Sequence, residues 1–125
     1  MIMTPRSTLL ALLISAPLSA AAADTPAARD PSGMTVEERT AIMTRVNDYN
    51  GCVYRESMAR VEALPDIRQA ADEGMTACQD ALDAVSETIA SFNFEAGFAD
   101  QFVRHTQSRA VRMLIPELSL RKGGQ

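Results

Sequence analysis

A small all-α domain of three helices is what this sequence predicts, with its first two helices folded into a disulfide-locked antiparallel hairpin. Three observations predict it. Apolar residues recur at spacings of three and four from Ile42 to Met113, the period of one helical face. No stretch alternates apolar and polar side chains as a half-buried strand does. The only two cysteines, Cys52 and Cys78, each lie 13 residues from Pro65, a residue type that ends helices.

In chain order, residues 1–23 read as a cleaved signal peptide. "MIMTPR" carries one positive charge at Arg6, "STLLALLISAPLSA" is a short uncharged apolar core, and Ala21 and Ala23 are small enough for a peptidase pocket. The apolar run falls short of the roughly 20 residues that cross a bilayer. Asp24 stands where a lipid anchor needs a cysteine, so the expectation is a periplasmic or secreted chain starting at Asp24 with no integral membrane segment. Without the leader, 11 basic side chains face 16 acidic ones, a charge near −5 that argues against nucleic-acid binding. Tryptophan is absent and aromatics make up 5% of the chain, so the core is thin and gains from a covalent staple.

Residues 24–34, with "DTPAARDPSG", mix Pro, Gly, Asp and Ser without periodicity and read as a flexible mature N-terminus. The helical domain spans 35–116. Thr35 and Glu38 form a capping-box pair, and Ile42, Val46, Tyr49 and Val53, then Val61 and Leu64, continue one face until Pro65 stops the helix near Ala63. Asp66 opens the second helix, with Gln69 in position for another capping box. Its apolar series is Ala71, Met75, Cys78, Leu82, Val85, Ile89 and Phe92, opposite Glu73, Asp80, Asp83 and Glu87. Asn93 is placed to cap a third helix, with Phe98, Phe102, Thr106, Ala110 and Met113 inward and Pro116 as its end. Residues 117–125 read as a C-terminal tail, in which Leu118 and Leu120 could fold back on the bundle.

Folding the first two helices about Pro65 places Cys52 and Cys78 at the same height, and the same mirror pairs Val46 with Val85 and Ile42 with Ile89. A disulfide needs Cα atoms within about 7 Å, whereas packed helix axes stand about 8–10 Å apart. Gly51, Gly74 and Ala77 therefore read as clearance for the crosslink. Closing that loop stabilises by about 3.5 kcal/mol in the chain-entropy account, and export favours its oxidation.

Catalytic chemistry is hard to assemble from these residues. His105, the single histidine, could join a cysteine and Asn93 as a nucleophile set, or join both cysteines on zinc, but a disulfide consumes the thiols either chemistry needs. His105 is expected at the edge of the third helix's apolar face. Glu73, Asp80, Asp83 and Glu87 lie along one helix and cannot easily converge on calcium, which takes six to eight oxygens. Residues 66–100 hold eight acids and only Arg68, while residues 101–125 hold Arg104, Arg109, Arg112, Arg121 and Lys122 against Glu117. Pairing of the acidic second helix with the basic third segment is expected; contact of that segment, with Phe98 and Phe102, to an anionic membrane surface is the alternative. The sequence points to no catalytic residue, cofactor or metal ligand. It points to an exported, non-enzymatic binding or structural module with an unidentified protein partner and undetermined oligomeric state. The alternative is an acid-responsive envelope-stress chaperone that exposes its apolar stripes when acid loosens it.

Overall fold

The computed structural model describes residues 26–123; the leader at 1–23, with the start at Asp24, lies outside the described residues. Among those residues the chain is all-α, with a short 3-10 turn at Pro31–Gly33 followed by α1 (Val36–Val61), α2 (Ile67–Ala77), α3 (Gln79–Ala90) and α4 (Phe98–Gly123). The hairpin of the sequence reading is present, and its second arm is two helices rather than one.

Helix α1 starts where the capping box predicts. The Thr35 hydroxyl accepts from the Glu38 backbone N–H at 3.1 Å, and the Glu38 carboxylate accepts from the Thr35 N–H at 3.4 Å. Its 26 residues rise about 39 Å, the full length of the domain. Ile42, Val46, Tyr49, Val53 and Val61 are buried as the periodicity requires, and Ser57 joins them. Asp66 caps α2 by accepting from the Arg68 N–H at 2.9 Å. Gln69 does not complete a capping box; its amide donates to Glu73 one turn on, at 3.3 Å.

The second predicted helix breaks at Cys78, whose φ of −103° and ψ of 17° leave the helical region. The disulfide fixes Cys78 against α1, and the turn there lets α2 and α3 each lie along α1 on its own axis. The apolar series survives the break: Ala71, Cys78, Leu82, Val85 and Ile89 are all buried.

Helix α4 departs from expectation at both ends. Asn93 is not its cap. Asn93 sits in the α3–α4 turn at φ 56°, a left-handed conformation that asparagine tolerates, and its amide donates to the Pro26 and Ala27 carbonyls at 3.2 Å each. The helix begins five residues later, after Gly97, whose φ of 87° suits glycine alone. Pro116 does not end it. The helix runs through Pro116 to Gly123, because the proline faces solvent and the turn beyond it buries Leu118 completely. The carbonyl that loses its donor belongs to exposed Arg112, where water can replace the bond. The buried stripe is Thr106, Ala110, Leu114 and Leu118; Met113, expected inside, is 60% exposed.

α1 and α4 run parallel, with α2–α3 antiparallel to both. Val61 and Leu118 meet at one end of the bundle, and Ile42, Ile89 and Phe94 at the other. The core has two parts. One surrounds the disulfide with Tyr49, Val53, Cys78, Leu82, Ala110, Leu114 and Leu118. The other holds Ile42, Val46, Val85 and Ile89, the pairs the mirror about Pro65 requires, under Phe94.

Within residues 24–34, read from composition as flexible, Arg29 and Met34 make contacts with that second cluster and its turn. Arg29 bridges to the turn at Phe94, donating its N–H to the Asn93 carbonyl and accepting from the Glu95 N–H, both at 2.9 Å. Met34 packs beside it.

Candidate functional site

The crosslink lies about two-thirds of the way along α1. Cys52 and Cys78 are joined, with Cα atoms 6.0 Å apart, inside the range that disulfide geometry requires. The close approach belongs to one glycine. A Cβ on Gly74 would lie 2.0 Å from the Ser57 hydroxyl oxygen, 2.9 Å from the Ser57 backbone nitrogen and 3.0 Å from its Cβ. Gly74 therefore lets α2 touch the α1 backbone one turn before Cys78. Gly51 plays no such part, since a Cβ there meets only the tip of Arg55, at 3.2 Å, and Ala77 is exposed. The clearance expected of three residues comes from Gly74, opposite Ser57 rather than opposite a cysteine.

Both cysteines are engaged in that bond, so neither supplies the thiolate that a nucleophile or a zinc site would use. His105 is exposed on α4, next to buried Thr106. Glu73, Asp80, Asp83 and Glu87 are exposed; Glu73 pairs with Arg60 at 3.8 Å and Asp83 accepts from Gln79 at 2.9 Å. No group of three or more His, Cys, Asp or Glu converges with metal-holding geometry among the described residues.

The expected pairing of an acidic second helix with a basic third segment does not occur among the described residues. Arg121 instead bonds Glu62 at 3.1 Å, and the Lys122 ammonium donates to the Leu64 carbonyl. Both contacts are at the α1–α2 turn, because α4 continues past Pro116 and its end reaches that turn. No helix of the described residues is long and apolar enough to cross a membrane.

Two features went unread in the sequence. The first is Arg29. Its guanidinium makes a two-pronged bond to Glu38 at 2.8 and 2.9 Å, donates to the Phe92 carbonyl at 3.1 Å and lies 4.9 Å above the Phe94 ring. The Arg29 hydrogen bond, helped by Thr35, holds the Glu38 carboxyl down at about 2 against the pull of partial burial. A lone arginine in a Pro- and Asp-rich stretch gives no periodic signal of this.

The second is a groove between α1 and α4, ≈ 390 Å³ in volume. Val53, Ala110 and Leu114 form its buried floor, Tyr54 and Met113 its exposed apolar lips, and Asn50 and Glu117 its polar walls. That volume is in the range of small-molecule sites. The Asn50 side-chain oxygen is buried without a hydrogen-bond partner. The buried hydroxyl of Tyr49 is also unpartnered, and burial pushes its pKa up. Met113, predicted inside, lies at the rim of this groove, and Leu114 lies on its floor.

No family model matches the chain, and neither the curated proteins nor the solved structures contain a significant match.

Proposed function

We propose that this chain works outside the cytoplasm as a small, non-enzymatic binding or structural module. The observation that carries the reading is the bond between its only two cysteines at the crossing of α1 and α2. Such bonds persist in oxidising compartments and are rare where glutathione and thioredoxin keep thiols reduced. The charged, apolar and small-residue order of residues 1–23 supports the same location. A crosslinked hairpin gives a rigid support, and the α1–α4 groove is a concave surface on it. The test is intact mass of the protein recovered from the envelope or medium of its own host. The expected species starts at Asp24 and carries no free thiol; cytoplasmic protein that retains Met1 and two free thiols overturns the reading.

A second reading, an acid-responsive chaperone of the envelope, is favoured by one observation. The phenylalanine cluster of Phe92, Phe94 and Phe98 lies under a strap fastened by the Arg29–Glu38 pair, which an acid pH would discharge. Suppression of client aggregation at acidic pH, with none at neutral pH, tests it.

A further inference from the structure

We infer that the α1–α4 groove binds an organic cation with an apolar body, such as an aryl-alkyl ammonium. This inference rests on the binding-module reading and names the ligand class of its site. The floor of Val53, Ala110 and Leu114 is buried and offers only apolar contact. Tyr54 and Met113, 48% and 60% exposed, leave apolar surface in water at the rim that a flat hydrophobic body would cover. Among the described residues, the single charged member of the lining is Glu117.

Glu117 takes part in no ion pair among the described residues, and the reason is visible. Its natural helical partner, Arg121 at i+4, is turned to Glu62 across the α1–α4 contact at 3.1 Å. Glu117, part of the groove lining, is thus left without a cationic partner among the described residues. An ammonium placed there pairs with Glu117 and lies beside the Tyr54 ring, whose face attracts positive charge. Carboxylate and aromatic ring both favour a cationic donor over an anion.

The experiment titrates the oxidised chain with naphthylmethylammonium, naphthylmethanol and naphthoate, following the methyl resonances of Val53, Ala110 and Leu114. The cation should bind about two- to fivefold more tightly than the alcohol, the range for an exposed ion pair, and naphthoate should bind most weakly. Glu117→Gln, an exposed change checked by circular dichroism, should remove the cation's advantage over the alcohol. Glu62→Gln should also reduce the advantage, because it releases Arg121 to Glu117. Equal affinities for all three probes, or a cation preference that survives Glu117→Gln, overturn the ligand class. Absence of shifts at the three methyl sites with every probe overturns the groove as a site. Neither result touches the mass and thiol measurements that test export and oxidation, so the two readings fail separately.

Discussion

Arg29 belongs to no helix, yet its guanidinium joins the N-terminal strap to the first turn of α1 and to the turn before α4. Its partner Glu38 does two jobs, accepting from Arg29 and closing the capping box with Thr35. Because the folded Glu38 carboxyl titrates at about 2, below its ordinary 4.5, the pair's stabilisation is fully present above about pH 4.5. It is lost as pH falls through about 2. Glu38→Gln should therefore lower the melting temperature at pH 6 and flatten its fall between pH 5 and pH 2 relative to the unaltered chain. A carboxyl resonance of Glu38 titrating near 4.5 in the folded protein would remove the basis of that prediction. Ser57 gives a contrasting case at the same scale. Its hydroxyl is fully buried and has no partner, so Ser57→Ala removes an unsatisfied polar group. Urea unfolding should show equal or higher stability, by up to about 1 kcal/mol.

Between the helices, two glycines beside the same disulfide have opposite roles. Gly74→Ala drives a methyl into the Ser57 backbone, and the crosslink four residues on prevents α2 from backing away. It should destabilise by about 1–3 kcal/mol, the usual range for overpacking. Gly51→Ala meets only the flexible end of Arg55 and gains helix propensity, so it should stabilise by about 1 kcal/mol. Removing the bond by Cys52→Ser with Cys78→Ser should lower stability by about 3.5 kcal/mol in the same urea series. These cases also show what a sequence can reveal at this scale. The hairpin, the α1 capping box and the Cys52–Cys78 pairing follow from local chemistry and from symmetry about Pro65, and all could be read directly. The break at Cys78 could not, since the apolar period runs through it without a glycine or proline. Pro116 misled for the opposite reason: a local breaker was overridden by burial of Leu118 a half-turn beyond it. Asn93 was legible as a special residue, but its left-handed turn and its bonds to Pro26 and Ala27 depend on a strap 66 residues away or more. The groove was illegible because it depends on which of Met113 and Leu114 faces in, a rotation of α4 that the Phe98–Phe102–Thr106 spacing does not decide.

For the molecule as a whole, the distribution of ion pairs decides how it responds to acid. Well below pH 4 the 16 acidic side chains can all be neutral, while 11 basic side chains and His105 leave the chain from Asp24 near +12. The sequence suggests that α4 then detaches, because its positive charges face an acidic second helix. The observed contacts predict a different order. α4 is held by Thr106, Ala110, Leu114 and Leu118, which do not titrate, and by the Lys122 bond to a backbone carbonyl. Its one ion pair among the described residues is the exposed Arg121–Glu62 contact, a kind worth about 0–1 kcal/mol. The strap depends far more on charge, through Arg29–Glu38 and through Asp30, whose carboxyl is also held below its ordinary range by bonding to Ser32. As pH falls toward 2 the strap should release first, uncovering Phe92 and Phe94, while the crosslinked hairpin and α4 stay packed. Amide exchange measured at stepped pH should show Arg29 and Glu95 losing protection before Leu114 and Leu118, with far-UV circular dichroism nearly unchanged and dye binding rising. Simultaneous loss of protection at all four positions would mean that the domain opens as one unit. If the strap releases and client aggregation at that pH is suppressed, the phenylalanine cluster is a working surface and the chaperone reading gains over the binding module. Release without suppression makes Arg29–Glu38 a purely structural fastening.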